Sequence, residues 1–510
     1  MTPSIRSTII KSTIKDFSLH SSKTIPVSKS SLCTLFGTAL LLLQSDITFG
    51  VGLDQLEDLN GPQDAAADII QGPDVGGTRP APAPENTLGL CPNISTASSN
   101  PAESALATRC TELVVSADPS GTGGAGSAFD LGMAPEQVKS ALQQVVPEET
   151  EIIGAGATDT SHDQLTNVKD RLQFLRTAIR TQSVVGMHFG NSLDEGAAAA
   201  DGSSRWGSFI NAGYGTGEKD PTFNETGFDY DAYAITIGSD YRFNDNLVAG
   251  LALGVTKSDV TIDQGAGEYE TDGENIALYG LYNGAWIEEG WLKQSQFYVE
   301  GVLTRGVFDY EGQRDINYGS GASSVIRTAE STTDGDQWAW SLAAGVSAQR
   351  ESWHFNFYGR AEGVDADIDA YDETGSGNST VPTGNEWAVH VNKQELESRQ
   401  LILGAQAAYA ASQTFGVLQP YASLEAHHEF DDEARTITAF YRADPFFAAD
   451  DPRFPILIQT DDADKDFFLM TLGITLALQE GNQLFLNYDT LLALEDVESH
   501  VISAGLRFEL

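Results

Sequence analysis

The final stretch of the chain, residues 500–510, alternates between two kinds of side chain. Counted in pairs, one face of an extended strand carries Ile502, Ala504, Leu506, Phe508 and Leu510. The small and polar residues between them lie on the opposite face, so one face suits lipid and the other suits water. Because unpaired backbone groups at an open sheet edge are not tolerated in hydrocarbon, we expect this strand to close a β-barrel, with the end of the chain in the closing seam.

The same period of two recurs from about residue 204 onward. Clear examples are residues 233–242, 247–256, 353–360 and 468–489, where apolar residues alternate with glycine, polar or charged ones. Counting such runs predicts twelve strands, which start near residues 205, 228, 246, 268, 293, 324, 352, 386, 415, 465, 482 and 499. The chain has no run of about 18 uncharged apolar residues, so a membrane-spanning helix is not predicted.

The predicted connections differ in length between the two ends of this barrel. After even-numbered strands they are mostly short, at 243–246, 349–352, 411–414 and 480–482. After odd-numbered strands they are longer and polar, at 216–227, 312–324, 372–384 and 431–464. Outer-membrane barrels have this asymmetry, with both chain termini at the short-turn end. A soluble β-sandwich would not need it, so the sequence favours an all-β membrane barrel with about twelve antiparallel, up-and-down strands.

The N-terminus has the order of a secretory signal. Five basic residues from Arg6 to Lys29 precede the apolar run 32–43, and small residues follow near Gly50. This order predicts a long signal peptide over residues 1–50 and an exported chain.

The next segment, residues 51–127, begins with a stretch to about residue 86 that is rich in Asp, Gly, Ala and Pro, and it ends with a linker of small residues over 118–127. Such a composition predicts a disordered, low-complexity spacer. The segment contains Cys91 and Cys110, which we expect to form a disulfide in an oxidising compartment, while Cys33 would leave with the signal peptide. No nearby His or Cys completes a zinc ligand set.

Residues 128–203 are predicted to be a short helical segment and linker ahead of a barrel over 204–510. One helix is predicted over 134–145. A stronger one is predicted over 161–181, where apolar residues recur at three- and four-residue steps: Leu165, Val168, Leu172, Leu175 and Ile179. The other face of this helix is polar and charged, so the apolar face needs a surface to pack against.

The charge of the chain limits its partners. The formal net charge is -44, from 73 acidic and 29 basic side chains. Nucleic-acid binding needs clustered Lys and Arg, so a nucleic-acid partner is disfavoured. A strongly acidic chain is typical of a well-solvated exported surface.

Three blocks of sequence, residues 230–256, 419–430 and 505–510, resemble the β-domain of autotransporters, the type V secretion family. The resemblance covers about residues 205–510. It implies a twelve-stranded barrel in a Gram-negative type of outer membrane, with an α-helix in or near the lumen, and residues 165–179 look like that helix. It also implies insertion by the outer-membrane assembly machinery, aided by periplasmic chaperones. That machinery reads an aromatic residue at the end of the last strand, which here is Phe508, two places before Leu510.

The long passenger of repeated β-solenoid rungs that is usual in this family is not seen in the sequence. We therefore expect a monomeric translocator or anchor barrel in outer-membrane lipid. It would carry a very short or vestigial N-terminal passenger and have no catalytic, cofactor-binding or metal-binding residues. Two alternatives stay open: a surface-exposed adhesin or structural protein that acts through its extracellular loops, and a narrow pore.

Two groups of residues could carry hydrolytic chemistry. Residues 190–193 resemble the GDSL block of esterases that some autotransporters carry as passengers, but Asn191 replaces the aspartate. The Asp and His of residues 159–162 precede Ser192, whereas esterases of that family have them near the end of the catalytic domain. Glu425, His427 and His428 could form a site at a barrel rim, but they fit better as a polar set facing the lumen.

Further charged residues lie in the predicted loops and in the predicted lumen. The acidic runs in the longest loop could bind Ca²⁺ or Mg²⁺, but they lack the spacing of a calcium loop and are predicted to be solvated: Asp431, Asp432, Glu433, Asp461, Asp462 and Asp464. Four other charged residues are expected to face the lumen and contact the helix: Asp240, Arg242, Arg360 and Arg507.

Overall fold

The computed structural model describes residues 53, 56, 58–71, 90–117, 128–147, 150, 165–173, 175–176, 205–287, 294–377, 386–447, 452–478 and 482–509. The predicted signal peptide, residues 1–50, lies outside the described residues. Within them, no helix combines the length and the apolar character needed to cross a bilayer.

Twelve long antiparallel strands form a closed barrel. They are β1 Trp206–Lys219, β2 Phe228–Arg242, β3 Leu247–Ile262, β4 Gly267–Ile287, β5 Ser295–Tyr318, β6 Val325–Arg350, β7 Trp353–Ile368, β11 Gln394–Tyr409, β13 Gly416–Glu429, β16 Asp466–Leu478, β17 Gln483–Leu492 and β18 Val497–Glu509. Each pairs with its neighbours along the chain, and β1 pairs with β18 to close the sheet, with Ala212 opposite Ala504. The predicted barrel and its closing seam are confirmed.

The described structure also includes six short strands, five longer helical segments and two 3-10 turns. The short strands are β8 Tyr371–Asp372, β9 Thr374–Gly377, β10 Val389–Val391, β12 Ala411–Gln413, β14 Thr436–Tyr441 and β15 Ile456–Gln459. The α-helices ahead of the barrel are α1 Gly61–Gln71, α2 Leu90–Asn93, α3 Pro101–Ala117 and α4 Pro135–Gln144. The fifth segment, which we call the lumen helix, is helical over residues 165–173 and 175–176. Two 3-10 turns, Asp263–Gly265 and Gly321–Ser323, connect barrel strands.

Eleven of the twelve barrel strands begin within two residues of the predicted position. The exception is the eighth, predicted near residue 386, which begins at Gln394. The segment near residue 386 does contain a strand, β10, but this strand is not part of the barrel. It pairs with β8 and β14 in a separate four-stranded sheet of order β15-β14-β10-β8. Alternation alone does not distinguish these two sheets.

The outer face of the barrel carries a band of large apolar side chains. Residues such as Ile237, Leu251, Leu278 and Leu403 are about half exposed or more, at 51%, 56%, 54% and 64%. Exposed aromatic residues at the short-turn end of the strands include Trp206 and Trp353. An apolar band bordered by aromatic residues is the outer surface that lipid requires of a barrel.

On the inner face, glycines make room for aromatic rings from the neighbouring strand. A Cβ atom on Gly404 would lie 2.2 Å from the ring of Tyr358, and one on Gly345 would lie 2.5 Å from the ring of Tyr298. The rings of Tyr279 and Tyr421 lie across Gly250 and Gly473 in the same way. Because real Cβ contacts are longer than this, these glycines are required by packing.

The long-loop end of the barrel carries additional structure. Strands β5 and β6, with 24 and 26 residues, are the longest of the barrel. Helix α1 lies against β15, and α4 lies against β5. The buried side chains of the helices and of the four-stranded sheet belong to one apolar cluster, which includes Ile70, Leu142 and Val389.

The prediction of a disordered spacer over 51–127 is corrected by this arrangement. Helices α1, α2 and α3 lie within that range, and alanines that suggested low complexity, including Ala66 and Ala67, are buried residues of α1. The Pro-rich residues 80–84 lie outside the described residues. The predicted disulfide between Cys91 and Cys110 is present and joins α2 to α3. Helix α4 confirms the helix predicted over 134–145, with Pro135 at its first position.

Candidate functional site in the barrel lumen

The lumen helix occupies the interior of the barrel. Its apolar residues Leu165, Val168, Leu172 and Leu175 are at most 1% exposed. This is the described part of the helix predicted over 161–181. The apolar stripe therefore packs against the barrel wall, which is the surface that the sequence pattern required.

Three basic side chains of the lumen helix pair with acidic side chains on three different strands. Arg171 binds Asp240 on β2, with Nε 2.7 Å from Oδ2. Lys169 Nζ lies 3.1 Å from Glu362 Oε1 on β7, and Arg176 pairs with Glu300 on β5. All six side chains are at most 14% exposed. Because the three acidic partners lie on β2, β5 and β7, the pairs hold the helix against this part of the barrel wall.

Neutral and aromatic contacts complete the enclosure of the helix. Asn211 Nδ2 on β1 donates to the Asn167 carbonyl oxygen over 2.8 Å. Asp170 Oδ2 accepts from Asn487 Nδ2 on β17 over 3.3 Å and from Ser503 Oγ on β18 over 3.4 Å. The Arg171 guanidinium also stacks over the Phe209 ring, 5.2 Å from its centroid.

The contacts give the direction of the chain through the pore. Asn167 lies beside Asn211, whereas Arg171 lies beside Gly207, nearer the start of β1. The lumen helix therefore runs antiparallel to β1, from the long-loop end to the short-turn end. The helices α1–α4 lie before this passage in the chain and pack at the long-loop end.

The charged residues predicted to face the lumen are located as follows. Asp240 faces inward and binds the helix directly, which confirms that prediction. Arg360 faces inward and lies 2.9 Å from Glu362, the partner of Lys169, so it contacts the helix indirectly. Arg507 is 5% exposed and lies close to Gly207. The backbone N–H of Arg242, at the short-turn end, donates to the Arg205 carbonyl oxygen.

Sequence reasoning missed Lys169, Glu300 and Glu362. A signal for the two glutamates was present, because both lie at buried positions of the alternating pattern, on the inward face of β5 and β7. An acidic side chain at such a position needs a cationic partner, and the polar face of the lumen helix supplies it.

Two of the three possible hydrolytic residues on β13 lie together, with His427 Nε2 3.3 Å from Glu425 Oε2, and His428 lies apart from them. Glu425 faces inward and pairs with Arg360, and Tyr358 donates a hydrogen bond to it. His427 also faces inward and contacts Gln400 Oε1 at 3.0 Å. His428 faces outward and lies 2.7 Å from Asp466. Glu425 is therefore held in a lumen ion-pair network, and the two histidines are on opposite faces of the strand.

The acidic runs of the longest loop are used to join loops to one another. Asp461 accepts from Thr222 Oγ1 over 2.6 Å and from Asn224 Nδ2 over 2.9 Å. Lys465 Nζ lies 2.6 Å from Asp432, and its hydrogen bond lowers the pKa of that carboxyl. Asp462 and Asp464 accept from the backbone N–H groups of Ala434 and Glu495. Among the described residues, no three His, Cys, Asp or Glu side chains are arranged to hold a metal ion.

The esterase-like motifs, residues 159–162 and 190–193, lie outside the described residues. Residues 208–489 match the family model described as the autotransporter beta-domain. The chain belongs to the autotransporter beta-domain family. Its barrel is therefore a translocator domain of the outer membrane. Outer-membrane barrels have long extracellular loops and short periplasmic turns. The long-loop end of this barrel is therefore extracellular, and its short-turn end is periplasmic.

Related proteins share part of the autotransporter chain. It is 23% identical to esterase EstA of Pseudomonas aeruginosa over 239 residues, which are 46% of this chain and 33% of that protein. It is 26% identical to an uncharacterized protein in the trpE-trpG intergenic region of Pseudomonas putida over 208 residues, 40% of this chain and 31% of that protein. The chain thus spans about a third of the length of these curated relatives.

Solved structures with a similar arrangement include two autotransporter domains. The translocator domain of NalP from Neisseria meningitidis is 14% identical, with a TM-score of 0.45, and the match covers 68% of this chain and 98% of that one. The β-domain of the Bordetella autotransporter BrkA is 18% identical, with a TM-score of 0.39, and the match covers 60% of this chain and 100% of that one.

Proposed function

We propose that this autotransporter barrel anchors the chain in the outer membrane and delivers the N-terminal segment of this sequence to the cell surface, without covalent chemistry. The observation that carries the proposal is the path of the chain. The lumen helix runs inward through the pore from helices that pack at the extracellular end. A chain on that path has crossed the membrane through its own barrel.

The rest of the biogenesis follows from the same proposal. Residues 1–50 act as the signal peptide, residues 128–203 include the linker, and residues 204–510 form the barrel. The assembly machinery inserts the barrel with the help of periplasmic chaperones, and the inserted protein is a monomer.

We further propose that the passenger is short and non-catalytic. In this reading, the described helices between residues 53 and 147 are the passenger itself. The names esterase and lipase belong to relatives that match less than half of this chain. The purified full chain is expected to hydrolyse p-nitrophenyl butyrate no faster than buffer. Hydrolysis abolished by Ser192→Ala would contradict the non-catalytic part of the proposal.

One observation favours a second function, that of a surface structure formed by the loops. Strands β14 and β15 belong to the longest loop, and they form most of an extracellular sheet that is covered on one face by the N-terminal helices. The pore alternative has less support, because ion pairs to three barrel strands hold the lumen helix inside the pore.

Delivery to the surface is tested with one epitope at two positions. Ser99 is exposed at the extracellular end, and Asp245 is exposed in a short periplasmic turn. An epitope inserted after Ser99 is expected to bind antibody on intact cells. The same epitope after Asp245 should bind only after the outer membrane is permeabilised. Detection of the Ser99 epitope only after permeabilisation would overturn the proposal.

A further inference from the structure

We propose that the extracellular rim of the barrel is a receptor for the chain's own N-terminal helices, which remain bound there when the covalent link through the pore is cut. The cap is the set of described residues from 53 to 147. The rim is the four-stranded sheet with the outer parts of β5 and β6. This inference rests on the proposed function, because it requires the cap to be extracellular.

The rim offers the cap an apolar surface. Alternate residues of the four-stranded sheet form one face, and each is at most 2% exposed: Val389, Val391, Ile437, Ala439, Ile456 and Ile458. They share an apolar cluster with Ile70 of α1 and Leu142 of α4. A sheet that buries one face needs a second layer to cover it. The helices of the cap supply that layer.

The rim also binds the C-terminal end of α4. The last carbonyl groups of a helix have no partner within the helix, and a cation near them is favourable. Arg314 Nη1 on β5 donates to the Gln144 carbonyl oxygen over 2.8 Å. Tyr441 Oη on β14 donates to the Val145 carbonyl oxygen over 3.1 Å. Two strands of the rim therefore satisfy the end of a cap helix.

The receptor groups are held in place by partners within the barrel. Arg314 is fixed by Glu373, with Nε 3.1 Å and Nη2 2.6 Å from its carboxylate oxygens. Glu386 is fixed in the same way by Arg327, over 2.9 Å and 2.5 Å. These four side chains are at most 5% exposed. Because each of these side chains is paired with a residue outside the cap, binding of the cap costs them little conformational entropy.

Charge complementarity sets how the cap sits on this receptor. Arg109 of α3 directs Nε at Glu386 Oε1, 3.3 Å away. Glu386 is therefore shared between a rim cation and a cap cation. The Glu386 carboxylate is 1% exposed. Truncation of one partner of a buried ion pair raises the dissociation rate of a complex. The Arg109–Glu386 pair is therefore expected to slow the release of the cap from the rim.

The cap has enough internal contacts to remain one body after release from the chain. The Cys91–Cys110 disulfide joins α2 to α3. Gln143 Oε1 on α4 accepts from Asn60 Nδ2 over 3.2 Å and from Gln63 Nε2 on α1 over 2.9 Å. The cap is therefore a compact partner for the rim, and the covalent path through the pore is not its only attachment.

The test cuts that path on intact cells. A site-specific protease sequence is inserted between Gly154 and Ala155 of the full chain, which also carries the epitope after Ser99. After cleavage and washing at neutral pH, the epitope is expected to stay on the cells. Prompt release of the epitope into the supernatant would overturn the receptor proposal. Absence of the epitope from the cell surface before cleavage would instead contradict the proposed function.

Substitutions in the receptor give the second arm. In the cut protein, Arg314→Ala should raise the rate of epitope release about a hundredfold, because a buried charged donor is lost. Tyr441→Phe removes one hydroxyl and should raise the release rate severalfold. The matched control is Lys393→Ala, which removes an exposed rim cation paired with Asp367 and Glu395. Equal release rates in all three variants would contradict the assigned contacts.

Discussion

Arg171 of the lumen helix and Asp240 of β2 form an ion pair in which both side chains are at most 4% exposed. The Tyr279 hydroxyl donates to the same carboxylate oxygen, Oδ2, over 3.1 Å. The pair joins the segment that fills the pore to the wall that encloses it. Its burial makes it costly to break from either side, because the remaining charge would lose its partner.

Arg171→Ala is expected to destabilise the folded barrel by about 3–5 kcal/mol, since Asp240 stays buried without its cation. The measurement is unfolding by denaturant in detergent, and the loss of the folded band on unheated gels reports the unfolded fraction. The control is Lys465→Ala, whose pair with Asp432 belongs to the longest extracellular loop and whose own side chain is 51% exposed. Exposed pairs contribute about 1 kcal/mol or less. Equal losses in the two variants would contradict the account.

The glycines under the aromatic rings make a second prediction. Gly404→Ala would bring a methyl group to within 2.2 Å of the Tyr358 ring, whereas Gly359→Ala on the neighbouring strand meets only Leu403, at 3.8 Å. Overpacking costs about 1–3 kcal/mol, so only Gly404→Ala should lower the thermal midpoint of unfolding in detergent. A larger decrease of the thermal midpoint in Gly359→Ala than in Gly404→Ala would contradict the packing of Tyr358 against Gly404.

Some of these features could be predicted from the sequence and others could not. The strands could be predicted because alternation is a local pattern, and β1 starts within one residue of the position expected for it. The segment before β11 could not be assigned, because its alternation fits either sheet. Whether Glu300 and Glu362 face a helix depends on which strands surround the lumen, and that is a long-range property.

The corrected spacer has a related cause. Residues such as Ala66 and Ala67 give a composition typical of a linker, yet they are fully buried between α1 and its neighbours. Small residues pack closely when another surface is available. That surface, the rim sheet, comes from loops more than three hundred residues later in the chain.

The disulfide makes a prediction that separates the cap from the barrel. Replacing Cys91 and Cys110 with serine removes a cross-link with a sequence separation of 19 residues. The cap is expected to lose about 3 kcal/mol, measured as faster proteolysis of the N-terminal epitope on intact cells. The barrel band on unheated gels should be unchanged. Reductant should accelerate proteolysis in the parent chain and have no effect on the serine variant.

Glu112 predicts how the cap responds to pH. Burial raises the pKa of Glu112 above its ordinary value of 4.5, although the Arg109 guanidinium opposes the shift. The folded cap therefore binds this proton more tightly than the unfolded cap. The contribution of Glu112 to stability is largest at acidic pH and decreases as the pH rises through the folded pKa.

The measurement for Glu112 is protease resistance of the cap at pH 5 and at pH 8. Glu112→Gln should reduce the difference between the two conditions, because the variant has no carboxyl to titrate. Glu136→Gln is the control, since the Glu136 side chain is 81% exposed. A pH difference that is unchanged in Glu112→Gln would contradict the assigned burial.

Closure of the barrel between its first and last strands is tested most directly by a cross-link across the seam. Ala212 of β1 lies opposite Ala504 of β18, and Ile502 lies opposite Tyr214, two residues away in the register. Cysteines at 212 and 504 are expected to form a disulfide in isolated outer membranes, seen as a mobility change on non-reducing gels. The shifted pair, cysteines at 212 and 502, should not. Failure of the first pair to cross-link, or equal cross-linking of both pairs, would contradict the closed barrel.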